Sequence, residues 1–141
     1  MSDTDLTAEE IRDLRLLAGT MIPASEEFDV PGADDAAIFA DILGSLGRDR
    51  GPVRAALGRF ADLSGGGAPD QAAAALLAEP GPAVATLGRV ILQCYYRDDR
   101  VIRSLGLEPR PPFPRGHILE QGDWSLLDPV RARPKLWRDA P

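Results

Sequence analysis

Residues 83–105 read AVATLGRVILQCYYRDDRVIRSL. Val84, Leu87, Ile91, Cys94, Tyr95, Ile102 and Leu105 recur at helical spacing. The pattern predicts one long amphipathic helix over Ala83 to Leu105 with these side chains facing inward. It is the most hydrophobic segment of the chain, which places it at the centre of the fold. Gly106 follows as a natural C′ residue. Upstream, Glu79-Pro80-Gly81-Pro82 reads as a turn. Before it, Pro69-Asp70 opens a short alanine-rich helix running through Leu76 and Leu77. Ser64-Gly65-Gly66-Gly67 is a flexible stop to a third helix, which starts near Pro52 and aligns Val53, Leu57, Phe60 and Leu63. Gly47 to Gly51 separates that helix from one carrying Ile38, Phe39, Ile42, Leu43 and Leu46, which Asp34 or Asp35 can cap. Residues 23–33 form a loop, with Phe28 and Val30 expected to plug into the core. The first helix opens on a capping box, Thr7 with Glu10, presents Ile11, Leu14, Leu17, Ala18 and Met21, and is ended by Pro23. No stretch alternates with period two for long enough to be a convincing strand. The expected fold is all-α, a bundle of about five helices over residues 1–108.

The remainder, residues 109–141, reads PRPPFPRGHILEQGDWSLLDPVRARPKLWRDAP. Seven of the 13 prolines fall here, with both tryptophans and the only histidine. Proline fixes φ and removes a backbone donor, so much of this stretch is excluded from helix and central strand. A solvated tail is poor in aromatic and aliphatic residues. Here Phe113, Ile118, Leu119, Trp124, Leu126, Leu127, Val130, Leu136 and Trp137 need something to bury against. The expectation is a long, proline-rich, extended C-terminal arm that wraps a surface, either the chain's own bundle or another protein.

At 141 residues the chain is long enough to bury roughly two-thirds of its unfolded surface in one core. Its net charge of −6 argues against nucleic acid or an anionic membrane as partner. The charge is uneven. Residues 1–108 hold 18 acidic and 10 basic side chains, whereas residues 109–141 hold 4 and 6, so the arm is mildly basic against an acidic body. The single cysteine, Cys94, cannot form an internal disulfide, which fits a reducing compartment. The acidic N-terminus lacks both an apolar h-region and a twin-arginine pair. With no apolar run long enough to insert in a membrane, the expectation is a cytoplasmic location, with export only as a passenger on a partner as the alternative.

The residues that carry chemistry are few. One histidine and one cysteine, without His-x-x-x-His or Cys-x-x-Cys spacing, do not build a zinc site. Cys94 and His117 form the only Cys–His combination, and Cys94 falls on an apolar helix face, where a thiol acts as a small hydrophobe. Gly65-Gly66-Gly67 matches neither phosphate-binding fingerprint and reads as a linker. The adjacent pairs Glu9-Glu10 and Asp34-Asp35 read as first-turn charges, and Asp98-Asp99 with Arg97 and Arg100 as a solvated or partner-facing cluster. No catalytic, cofactor-binding or metal-binding residue is assigned. The candidate site is instead a partner interface on the arm: Phe113, Arg115, His117, Trp124, Leu127, Arg131, Arg133 and Trp137. Trp and Tyr are common interface anchors, but Trp124 could equally cover the chain's own bundle. His117 is read as a hydrogen-bonded loop residue, with reach into a partner's active site as the minority reading. Arg110 and Arg138 join the other arginines as groups for acidic patches.

Three segments carry a resemblance. They are Leu14 to Pro23 (LRLLAGTMIP) followed by Asp29-Val30-Pro31-Gly32-Ala33, then Tyr95 to Gly106 (YYRDDRVIRSLG), then Pro111 to Gly116 (PPFPRG). Together they resemble the gluconate 2-dehydrogenase subunit 3 family over most of the chain. The resemblance implies an accessory subunit of an FAD-dependent dehydrogenase whose large partner is a flavoprotein of the glucose–methanol–choline type, acting on sugars, glycosides or sugar acids. FAD would then sit in the partner, and the family supplies no catalytic residue to this chain. Many members carry a twin-arginine signal; its lack here points to a cytoplasmic two-subunit enzyme, for which glycoside 3-dehydrogenases are one possibility. The alternative class is a self-contained helical adaptor or regulator without a redox role.

Overall fold

The computed structural model describes residues 5–65, 67–111, 113–116 and 121–134. The first helix, α1 (Ala8–Met21), begins on the capping box. The Glu10 amide donates to Thr7 Oγ1 at 3.1 Å and the Thr7 amide donates to Glu10 Oε2 at 2.7 Å. Arg54 also donates to Glu10 at 3.0 Å and so ties α1 to a later helix. These bonds, the Thr7 amide first, hold the Glu10 carboxyl below its usual range. The other body helices are α2 (Ala36–Ser45), α3 (Arg50–Ser64), α4 (Pro69–Ala78), α5 (Pro82–Tyr95) and α6 (Asp99–Ser104), with a 3-10 turn at Gly47–Asp49. Among the described residues there is no strand, only an isolated antiparallel bridge between Ser25 and Val30. The architecture is an all-α bundle.

Helix α3 packs against α5, α4 and α1, and α5 also meets α2. Its apolar stripe Val53, Ala56, Leu57 and Phe60 is buried, as are Leu14, Leu17, Ile38, Ile42, Leu76, Leu87 and Ile91 from its neighbours. Among the described residues, no buried side chain is polar or charged. The helical periodicity is thus realised as one continuous apolar core.

The segment expected as one helix over Ala83 to Leu105 is two helices. Helix α5 stops at Tyr95, and Tyr96 leaves the helix with ψ near 0°. Asp98 then takes extended backbone angles and its carboxylate accepts from the Arg100 amide at 2.9 Å, capping α6. Aspartate is stabilising at an N-cap and mediocre inside a helix, so the chain restarts there. Among the described residues the body thus holds six helices, in keeping with the expected bundle of about five. The restart also changes the inward register: Val101 is buried, whereas Leu105, expected to face inward, is 57% exposed. Gly106 ends α6 with φ of 75°. Its amide donates to Arg103 O, and that of Leu107 donates to Ile102 O. This bond pair is a Schellman motif, which a side-chain-free residue enters without strain.

The loop before α2 departs from expectation as well. Phe28 is 65% exposed and does not plug into the core. The Ser25–Val30 bridge closes a tight turn with Asp29 at φ 49°, which puts Phe28 at its tip. Ala33, fully buried, supplies the inward contact and Val30 is half-buried. Gly32 is required here by crowding, because a Cβ would lie 2.5 Å from Asp34 Oδ1 and 2.9 Å from the Ala24 amide nitrogen.

The chain separates into two compact units, Met1–Pro109 and Arg110–Pro141. The second is not extended throughout. A 3-10 turn at Trp124–Leu127 runs into a short helix, α7 (Asp128–Arg131). Pro129 sits within the first two positions of α7, where its missing donor costs no hydrogen bond.

Candidate partner-binding surface

In the C-terminal unit, the described large apolar side chains are exposed. Phe113 is 84% exposed, Leu126 75% and Trp124 60%, and Leu127 and Val130 are exposed too. Local bonds hold Trp124 in place. Asp123 accepts from the Ser125 amide at 3.0 Å and from Ser125 Oγ at 2.6 Å, which starts the 3-10 turn. These bonds hold the Asp123 carboxyl below its usual range. The indole Nε1–H donates to Gln121 Oε1 at 3.1 Å. A 3-10 turn eclipses residues three apart, so Trp124 and Leu127 share a side, and Val130 continues the same spacing into α7.

The arginines differ in their engagements. Arg131 pairs with Asp128 at 3.2 Å within α7. Arg110 donates to the carbonyl oxygens of Gly116 and Pro111, which closes the 110–116 loop. It therefore has a structural job, where the sequence suggested only a charge for acidic patches. Arg115 and Arg133 are exposed and form no ion pair among the described residues. His117 and Trp137, two of the expected interface residues, lie outside the described residues. Gln121 as the partner of the indole escaped the sequence reading, because a hydrogen bond between rotamers three residues apart leaves no compositional trace.

In the body, arginines tie helices together instead. Arg100 donates to Asp35 Oδ1 at 2.7 Å and to Asp98 at 3.0 Å. Asp35 is itself the N-cap of α2, accepting from the Ala37 amide at 3.0 Å. One guanidinium thus joins the starts of α2 and α6. It brings the Asp35 carboxyl down to about 2, and the same side chain lowers that of Asp98. Arg97 binds Asp41 and Ser45 of α2. The expected solvated or partner-facing cluster at 97–100 is therefore largely a structural brace, with Asp99 paired only to Arg103 on the surface.

Cys94 lies under this brace, 2% exposed, beside a cavity of about 380 Å³ that Asp41 and Arg97 also line. Burial pushes its thiol above the usual range, which disfavours the thiolate that nucleophilic or redox chemistry needs. A larger groove of about 710 Å³ runs between the 24–31 turn and α6, lined by Phe28, Val30, Glu26 and Asp29 with Arg100 and Arg103. Its guanidiniums are already committed to Asp35, Asp98 and Asp99. Among the described residues, no group of three or more His, Cys, Asp and Glu side chains could hold a metal ion. No single described helix is long and apolar enough to cross a membrane.

Set against known proteins, the chain matches no family model, no curated protein and no solved structure.

Proposed function

We propose that the chain is a non-catalytic accessory subunit that binds and stabilises an FAD-dependent dehydrogenase of the glucose–methanol–choline type. The observation that carries this reading is the row of large apolar side chains, Phe113, Trp124, Leu126, Leu127 and Val130, exposed on the C-terminal unit. Scattered exposed apolar residues are ordinary on a monomer; a Trp-bearing set gathered in one short segment marks an interaction surface. That observation supports a protein partner. The flavoprotein identity of the partner rests on the resemblance to the gluconate 2-dehydrogenase subunit 3 family.

On this reading, FAD and hydride transfer belong to the large subunit, and the substrate is a sugar, glycoside or sugar acid, with oxidation at a glycoside's 3-position as one form. The small subunit binds only the folded large subunit and stabilises it by mass action. Cys94, buried and free, suits a reducing compartment, and we assign the complex to the cytoplasm. The test is a tagged purification from the native host, read by absorbance and by sugar-dependent dye reduction. A co-purifying large protein with flavin bands, active on sugars only as the complex, is the expected result. A colourless monomer eluting alone would discard the reading.

A self-contained adaptor or regulator is the second reading, favoured by the body's complete apolar core. It requires the full chain, expressed alone, to be monomeric with its C-terminal unit resistant to protease.

A further inference from the structure

We propose that residues 97–105 form an ionic strap: Arg97 and Arg100 fasten α6 and the link before it to α2 at two points, and the strap lifts as one unit, ahead of the bundle, to uncover Cys94. The strap lies wholly within the body, and its action does not depend on the identity of a partner.

Both fastenings cross to the same element. Arg97 binds the Asp41 carboxylate and Ser45 Oγ within α2. Arg100 donates to Asp35 Oδ1 at 2.7 Å, and Asp35 caps the start of α2. Arg100 also closes on Asp98, the cap of α6, so one guanidinium holds both caps. Little else holds the strap down. Of residues 97–105, only Val101 is buried; Asp98 and Ile102 are half-buried and the others are exposed. A six-residue helix is not stable in water by itself. A segment with one apolar peg and exposed ion pairs belongs to the low-stability end of a fold, which opens without the core.

The strap also closes a compartment. The buried Cys94 lines the cavity of about 380 Å³, whose other walls are Arg97, Asp98 and Asp99 of the strap and Ile38 and Asp41 of α2. Lifting the strap removes three of these walls and opens the thiol, which makes Cys94 a reporter of the motion. Arg100, Arg103 and Ser104 form one wall of the larger groove beside the 24–31 turn, so the same motion reshapes that groove. Water reaches both fastenings, because the Arg97 and Arg100 side chains are half-exposed. Pairs in that setting are weak singly and are screened by salt. Arg103 differs: its partner Asp99 lies within α6, and the pair ties nothing to α2.

The experiment labels Cys94 of the full-length chain with the neutral reagent N-ethylmaleimide and follows the rate by mass spectrometry, in urea too dilute to melt the bundle. Labelling of wild type should depend far less steeply on urea than the global melt does, because a lifting strap exposes little surface. It should quicken about 2- to 5-fold between about 0.05 M and about 1 M sodium chloride, where the screening length falls to about 3 Å. Arg100→Gln should quicken it about 3- to 10-fold, although Arg100 bonds to Asp35 and Asp98 and not to the thiol. Arg103→Gln should stay within about 2-fold of wild type. Far-ultraviolet circular dichroism of each variant should match wild type, which separates a lifted strap from a lost fold. Labelling with the full urea dependence of the global melt would overturn the proposal, since the thiol would then open only with the bundle. Rates indifferent to both salt and Arg100→Gln would overturn it too, as would equal effects of the two arginine variants. The urea and salt dependences are read on wild type, so they decide the matter even if Arg100→Gln fails to fold.

Discussion

The two units of this chain handle similar apolar side chains in opposite ways. In Met1–Pro109, leucine, isoleucine and valine at helical spacing are buried against one another, and Arg97 and Arg100 are turned back to brace the same bundle. In Arg110–Pro141, tryptophan, phenylalanine and leucine of equal hydrophobicity stand exposed around a helical stretch of eight residues. Helices this short are marginal in water without tertiary packing. Most of the body's apolar residues are buried in its own core, with Phe28, Leu92, Tyr96, Leu105 and Leu107 among the large exposed exceptions. The described ones of the C-terminal unit are exposed, and on the proposed function a partner covers them. A sequence can therefore hold two hydrophobic segments with different destinations, and the discriminator is whether the segment's own elements are long enough to cover what they expose.

Removing residues 110–141 should have the largest effect and the most selective one. It should abolish the proposed complex with a flavin-bearing subunit while leaving the cooperative melt of the remaining chain unchanged. A truncated body that fails to melt cooperatively would break the comparison, because the second unit would then belong to the fold. Next comes the core. Leu57→Ala on α3 should lower stability by about 2–5 kcal/mol in denaturant melts of the isolated chain. Trp124→Ala should change it by no more than about 0.5 kcal/mol. Equal losses from the two substitutions would contradict the assignment of roles.

The brace between α2 and α6 gives a smaller effect with a pH signature. The Asp35 carboxyl lies at about 2 in the folded chain against an ordinary value of 3.8. A depressed carboxyl contributes stability that is complete above about pH 4 and fades as pH falls towards 2. The contribution is at most about 2 kcal/mol, reduced by solvent around the half-exposed Arg100. Melting temperature measured across pH 2–5 should fall with acid in wild type and fall less steeply in Asp35→Asn. Parallel curves would remove Asp35 from the account of acid stability. The smallest change is at the start of α1, where Thr7→Ala should cost about 1 kcal/mol through loss of the capping box. No change in urea midpoint would show that the first turn is not coupled to the body's unfolding.

The helical class and most of the core were legible because period-3.6 patterning is written directly in residue type. Thr7 with Glu10, the α3 stripe and the Gly106 stop all follow from local rules. The break at Asp98 was less legible. Tyr95-Tyr96-Arg97 continues an apolar rhythm, and whether an aspartate caps a new helix or rides along an old one depends on where Arg100 and Asp35 meet, 65 residues apart in sequence. Phe28 misled for a related reason: its hydrophobicity is plain, but the turn geometry at Asp29 decides which way it points. In the candidate site, Phe113, Trp124, Leu127, Arg115, Arg131 and Arg133 stood out by composition. The pairing of Trp124 with Gln121 did not, nor did the helical turn that aligns Trp124 with Leu127 in a segment whose prolines suggested extension.

The central claim is that a partner, and not the body's own core, covers the exposed apolar side chains of residues 121–134. Amide hydrogen exchange tests it most directly, comparing the full chain alone with the chain bound to the proposed flavin-bearing subunit. Amides of α3 and α5 should exchange slowly in both samples. Amides of residues 124–133 should exchange fast in the chain alone and slow markedly in the complex. Slow exchange of residues 124–133 in the isolated chain, or fast exchange that binding leaves untouched, would contradict the account.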